Sequence, residues 1–328
     1  MVDALIRANF EPVIASEGNA QELLQKEFPS LKSYKLPSYN IHYAKKGNLL
    51  KLRLLFRVPS IISIVNNEKK RIHEIIEKEK IKGLISDNRL GVYSNKIPSV
   101  YITHQLNVLS GNTTFLTSII HQRIIQKYDE CWVPDTANNN NLTGVLGHLK
   151  GNRLSVNYMG IVSRFQFRKS DMKYDLLVLL SGPEPQRSAL ESKLLKELRH
   201  YKGSVLVVRG VLSKQNSIVT PNKFKVVDYM LTGELEEAIN QSNFVIARSG
   251  YSTIMDLAVL EKKAFLIPTP GQFEQQYLAE RMNEKKIAPF CGQEDFSIDK
   301  LEQITNYTGF KKGTTSIDLE LFKLFDGK

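Results

Sequence analysis

Cysteine is almost absent from this chain. Only Cys131 and Cys291 occur in 328 residues, which excludes a disulfide framework and reads as two small core residues of a reducing compartment. No run approaches the eighteen or so consecutive apolar residues that a membrane-spanning helix needs. The N-terminus shows no basic stretch followed by an apolar core, so no signal peptide is legible. These absences lead to the expectation of a cytosolic protein. No Asp-x-Asp motif and no His/Cys cluster suggests a bound metal, so no cofactor or metal is expected. Acidic residues are also short: 34 Asp and Glu face 45 Lys and Arg, a net charge of +11. That balance favours anionic partners, whether nucleotides, nucleic acid or an acidic membrane surface. The basic residues are spread widely and no nucleic-acid recognition module is evident, so nucleic acid is not expected.

What is present is a globular composition, 42% hydrophobic and 24% charged, with length enough for two domains. Strand and helix signals alternate. In the first half, strands are expected at Val13–Ala15, 83–86, 100–103 and 131–134, with helices at Asn19–Phe28 and Thr113–Tyr128. In the second, strands at Asp175–Leu180, Val205–Val208, Lys225–Val227 and 244–247 alternate with helices at Ala189–Arg199 and Glu234–Asn240. This rhythm gives parallel sheets with helices on both faces. The expected fold is α/β, two Rossmann-like doubly wound domains facing a cleft, with residues 1–157 as the first domain and 158–328 as the second. Val2, Leu5 and Ile6 form the apolar face of a helix with no strand before it. Doubly wound domains normally start with a strand, so the natural first strand and loop are expected to be missing from this sequence.

The most informative stretch is Asn243 to Met282. An apolar run, Phe244 to Ala247, stops at Arg248-Ser249-Gly250. A helix then opens at Ser252-Thr253, and a second apolar run ends at Pro268. Strand, glycine turn and helix start present free N–H groups and the positive end of a helix to an anion such as a diphosphate. Asp256, one turn in, can accept from ribose hydroxyls. A reading without ligand is equally specific: Thr253-Ile254-Met255-Asp256 fits a capping box. Two further loops follow strands. Ser181-Gly182-Pro183-Glu184-Pro185-Gln186-Arg187 offers Arg187 to phosphate, or is a stiff turn with a solvated arginine. Pro268 to Gln276 offers amides and Glu274 to sugar hydroxyls. In open α/β sheets ligands bind beyond the carboxyl ends of strands, so three such loops together say more than any one.

Here the chain resembles the donor domain of GT-B glycosyltransferases of family 28, the type that forms lipid II or monogalactosyldiacylglycerol. That family reads Arg-[Ser/Ala]-Gly-[Ala/Gly]-x-[Thr/Ser]-[Ile/Leu/Val]-x-Glu at the helix entry, against Arg248 to Asp256 here, with Asp256 one methylene shorter. Val227-Asp228-Tyr229-Met230 resembles the element whose backbone reads the base. Gly160 to Arg164 resembles a segment that would make Arg164 a phosphate contact, and Gln275-Gln276 matches the family's Gln pair. The family's Gly-Gly-Ser-x-Gly loop is replaced by Ser181 to Glu184. The first half resembles the acceptor domain more weakly, through Ser86 to Arg89 and Thr103 to Asn107, and lacks the Gly-x-Gly-His loop.

The resemblance implies an inverting, metal-independent transfer of a hexose or N-acetylhexosamine from a UDP-linked nucleotide sugar to an acceptor the residues do not identify. In some relatives that acceptor is lipid-linked. The implied donor site is Arg164, Ser181, Gly182, Arg187, Val227, Met230, Arg248, Ser249, Gly250, Ser252, Thr253, Asp256, Glu274, Gln275 and Gln276. His104 and Asp87 are the remaining candidates for the base or for positioning the acceptor. His121 and His73 have weaker claims. A nucleotide-sugar epimerase and a non-catalytic nucleotide-sugar binder are the alternatives. Lys45 to Arg71 mixes basic and apolar residues and suits either an anionic membrane surface or a core-facing helix, with Pro59 expected to break or kink it. The expected location is the cytoplasm, at the inner face of the membrane if that contact exists.

Overall fold

The computed structural model describes residues 1–38, 50–149, 151, 154–211, 224–311 and 317–326, without the side chains of residues 19 and 50–62. Most of the Lys45–Arg71 segment expected to meet a membrane therefore lies outside the described residues or side chains.

The first half opens with α1 (Val2–Arg7), β1 (Ile14–Ser16), α2 (Gly18–Glu27) and β2 (Ser33–Lys35), then α3 (Leu50–Glu79). β1 and β2 pair with each other in parallel. A separate parallel sheet holds β3 (Leu84–Asp87), β4 (Ser99–Ile102), β5 (Glu130–Val133) and β6 (Val156–Tyr158) in that spatial order. The crossover from β4 to β5 carries α4 (Thr114–Ile125). Alternation along the strands sorts side chains to two faces. Val100, Ile102 and Trp132 join one core cluster, and Tyr101, Cys131 and Val133 the other. Pro59 does not end α3, which runs as one helix of 30 residues. A proline removes a single i→i−4 bond, and the good helix formers after it, Glu68 to Glu79, sustain the helix. Glu68, fully buried, fixes α3 to the loop after β3 by accepting from the Arg89 guanidinium and from Gly91 N at 2.9 Å.

The second half is more regular. β7 (Tyr174–Leu179), α5 (Gln186–Glu197), β8 (Val205–Val208), β9 (Phe224–Val227), α6 (Thr232–Asn240), β10 (Ser242–Ala247), α7 (Tyr251–Val259), β11 (Lys263–Leu266) and α8 (Phe273–Glu284) follow in order. All five strands are parallel, in the spatial order β11-β10-β7-β8-β9. Leu176, Val178, Val205, Val207, Ile246 and Phe265 face one cluster. Leu177, Leu206, Val208, Val245, Ala247 and Leu266 face the other. Strands buried on both sides read as continuous apolar runs, which is why these segments stand out in the sequence.

The chain then returns to the first half. A 3₁₀ turn at Leu319–Phe325 places Phe322 and Phe325 against Trp132, at ring distances of 5.8 and 6.0 Å. Phe325 lies so close to Gly83 that a Cβ there would sit 2.2 Å from its ring. Only glycine leaves room for this closure.

Candidate functional site

β10, β7 and β11 lie side by side, so the three loops that follow them line one edge of the second sheet. Their glycines face open space. A Cβ at Gly182 would meet one atom within 4 Å, Thr269 Oγ1 at 3.6 Å, and at Gly250 only Thr253 Oγ1 at 3.8 Å. At Gly271 it would meet nothing. Gly182 and Gly271 also have φ of 100° and 80°, a region that disfavours side chains. The result is a ledge of accessible backbone. α7 begins at this ledge with Gly250 as its N-cap and no side-chain cap. The capping box at Thr253 and Asp256 is thus not formed, because the helix starts three residues earlier than that reading requires. Ser252 is exposed on the first turn and Thr253 half-buried.

The arginines divide into two kinds. Arg248 is buried and spans the ledge from beneath. It donates to Ile267 O at 3.2 Å, Pro268 O at 3.1 Å, Gln186 O at 2.9 Å and Gln293 Oε1 at 2.7 Å. Burial lowers its pKa to about 10, and its Nε has no partner. It ties all three loops together. Arg187 is likewise buried, donating to Glu191 at 2.7 Å and pairing with Glu184. Glu191 also holds Arg209 at 2.6 Å, and Arg209 reaches Asp228 at 2.8 Å. Arg164, by contrast, is exposed and lies over the Phe165 ring at 5.0 Å. It enters no ion pair among the described residues and stands close enough to Asp256 to act on its charge.

Asp256 accepts from Ser163 Oγ at 2.5 Å. Burial pushes its carboxyl up to about 6, against the pull of Ser163 and Arg164. Ser249 is buried and donates to Gln275 O at 2.7 Å. The Gln275 amide accepts from Thr269 N and donates to Gln272, each at 2.8 Å, so it shapes the third loop. Gln276 is exposed and its side-chain amide donates to Glu280 at 2.7 Å. Val227 ends β9, and Met230 follows it half-buried in the run toward α6.

Opposite the ledge stand the strand ends of the first half. Asp87 closes β3, open to water yet crowded by protein. Desolvation raises its carboxyl, with the charge of His104 opposing. His104 follows β4, and its ring stacks on Tyr251 at 4.0 Å and 7°. His104 Nε2 lies 3.0 Å from Glu274 Oε1, and Gln105 donates to the other Glu274 oxygen. Tyr251, at the first position of α7, donates to Pro134 O. Tyr251 and Gln105 fall inside segments the sequence singles out, but it assigns neither a role, since their partners lie more than a hundred residues away. The one visible signal was a large ring at a position where the family pattern has Ala or Gly. His121 is buried beneath, 3.2 Å from Tyr101 OH, and burial lowers its pKa. His73 sits on α3 against Lys69 O at 2.9 Å.

The two halves also meet outside the centre. Arg281 on α8 donates to Leu142 O and Asn141 O, each at 3.0 Å, and Tyr277 accepts from Val145 N at 3.0 Å. At the other rim Thr232 Oγ1 donates to Glu27 at 2.6 Å. The cleft is therefore framed at both ends and crossed in the middle.

Two parallel-sheet domains meeting at their strand ends define the GT-B architecture, and solved structures bear this out. The calicheamicin glycosyltransferase CalG4 superposes with a TM-score of 0.62 over 93% of this chain and 84% of its own, at 9% identity. MurG of Acinetobacter baumannii does so with 0.53, over 99% and 87%, at 12% identity. A spinosyn rhamnosyltransferase complexed with thymidine diphosphate gives 0.61, over 98% and 90%, at 12%. Residues 186–312, in the second domain, match the glycosyltransferase family 28 C-terminal domain. It is 24% identical, over 62% of its length, to the UDP-N-acetylglucosamine--N-acetylmuramyl-(pentapeptide) pyrophosphoryl-undecaprenol N-acetylglucosamine transferase of Haemophilus ducreyi. That match spans 56% of the relative's own length, little more than half. An uncharacterized glycosyltransferase of Methanopyrus kandleri is 23% identical over 91% of this chain and 89% of its own.

Proposed function

We propose that this chain is a glycosyltransferase that takes a hexose or N-acetylhexosamine from a nucleotide sugar, UDP-linked, and passes it to an acceptor in the cleft between its domains. The observation that carries this reading is the ledge: three loops on adjacent strands, each with an unobstructed glycine, next to an uncapped helix N-terminus. Backbone N–H groups there can hold a diphosphate without a metal, because the helix end and fixed amides supply the positive field. Arg164, which enters no ion pair among the described residues, is free to add to it. In this reading Asp256 takes the ribose, Val227 to Met230 the base, and Glu274 with Gln276 the sugar. Arg187, Arg248, Ser249 and Gln275 serve by holding the loops in shape.

An inverting transfer needs a base for the acceptor hydroxyl and stabilisation of the departing diphosphate. His104 and Asp87 stand on the opposite wall for the first task, and the ledge supplies the second. The Haemophilus ducreyi relative is named for a UDP-linked donor and an undecaprenol-linked acceptor, which supports the same classes here.

A lipid-linked acceptor implies contact with the inner face of a membrane. No described helix is long and apolar enough to cross one. α4 supports surface contact instead: Phe115, Leu116 and Ile120 are 80%, 60% and 50% exposed, and exposed Arg123 and Lys127 continue the same stripe. An apolar face beside basic residues suits an anionic surface.

Isothermal titration with UDP tests the donor site. Binding in the micromolar to low millimolar range is expected, and none by a folded sample at millimolar UDP would refute it. Co-sedimentation with vesicles containing phosphatidylglycerol tests the surface contact. Binding that survives in the Phe115→Ser/Leu116→Ser variant would remove α4 from it.

A further inference from the structure

Glu274 carries two partners from the other domain. Its two oxygens are taken by His104 Nε2, at 3.0 Å, and by the Gln105 side-chain amide. Both donors belong to the loop after β4, which is itself braced by Gln105 N donating to Thr103 Oγ1 at 3.1 Å. The pair is not a buried structural bridge, since the His104 and Glu274 side chains keep 22% and 26% of their exposure. It joins the two domains, as do the contacts of Arg281 with Asn141 and of Thr232 with Glu27. Tyr251 supports it by stacking on the His104 ring and anchoring to Pro134 O.

An imidazole N–H and an amide N–H offer a carboxylate what two sugar hydroxyls would offer: directed donors at hydrogen-bond distance. Of the four or so acceptor positions of a carboxylate, His104 and Gln105 already hold one on each oxygen of Glu274. We propose that Gln105 and His104 are an internal stand-in for the donor sugar on Glu274, displaced when a nucleotide sugar is bound. Gln105 is then a residue that sets how strongly the enzyme distinguishes nucleotide sugar from free nucleotide. The displacement also frees His104 from Glu274 only once a sugar is in place, linking donor loading to the availability of the base candidate. This inference rests on the donor-site reading above, with Glu274 facing the sugar.

The experiment compares UDP, UDP-N-acetylglucosamine and UDP-glucose by titration calorimetry on the wild type and on Gln105→Ala. Removing a competing donor from Glu274 is expected to tighten binding of the UDP-sugars about fivefold, with UDP itself changed less than twofold. Hydrogen exchange gives a second readout. Amides of residues 103–107 should exchange faster in the free Gln105→Ala protein than in the wild type. They should also exchange faster in the wild type with UDP-sugar than with UDP. If UDP binds but the sugar-to-UDP affinity ratio is unchanged or falls in Gln105→Ala, the stand-in is refuted while the donor site survives. So is it if a bound UDP-sugar leaves exchange at 103–107 as it is with UDP. If no nucleotide binds the folded wild type, both readings fall together.

Discussion

The two walls of the cleft are built alike and behave differently. Each is a row of loops at the carboxyl ends of parallel strands. On the second-domain wall the loops offer backbone: Gly182, Gly250 and Gly271 face open space, and the side chains beneath are consumed in holding them. On the first-domain wall the loops offer side chains, and these are already engaged, His104 and Gln105 with Glu274 and Tyr251. A backbone site is preorganised and cannot be switched off by a rotamer. A side-chain site can be occupied from within, and here it is. On the proposed reading, one wall holds the donor diphosphate and the other responds to what has been held.

The largest test of this contrast is Arg248→Ala. If Arg248 is a frame for the ledge, its loss strands three buried acceptors and one part-buried one and should cost about 3–4 kcal/mol of stability. Urea unfolding would read it. A loss below 1 kcal/mol with nucleotide binding abolished would instead make Arg248 a ligand contact.

Asp256 gives a pH signature of about 2 kcal/mol, allowing for its partial exposure. Its folded pKa, about 6, lies above the ordinary 3.8. The neutral form is thus favoured by folding, and that contribution is complete below pH 4 and lost as pH rises through 6. Asp256→Asn should flatten the difference in unfolding free energy over this window. An unchanged pH profile would show that Asp256 is more solvated than its position suggests.

Arg164→Ala is the smallest and the sharpest. An exposed arginine without an ion pair should leave stability within about 0.5 kcal/mol, while UDP affinity falls about tenfold, roughly 1.4 kcal/mol. Arg187→Ala should do the reverse, unfolding more easily because Glu191 loses a buried partner. Equal effects of the two on UDP affinity at equal stability would erase the distinction between frame and contact.

Much of the second wall was readable from residues alone. Apolar runs such as Leu176 to Leu180 and Val205 to Val208 announce buried parallel strands, and Arg248-Ser249-Gly250 announces a turn into a helix. α7 starts within one residue of the opening expected at Ser252-Thr253, while the capping-box alternative fails, because nothing local says that Gly250 caps first. Pro59 is a local breaker that does not end α3, because the residues after it sustain the helix. The first wall was far less legible. Asp87 and His104 could be named as polar residues at strand ends, but not the carboxylate that would meet His104.

The sequence by itself determined the strands, their parallel pairing and the presence of glycine turns at their ends, because periodicity and backbone freedom are local properties. Only the tertiary structure decided which arginines are frame and which is free, and that Glu274 is shared across the cleft. Those outcomes depend on distances between residues as far apart as Gln105 and Glu274 in the chain, set by how two sheets are brought face to face.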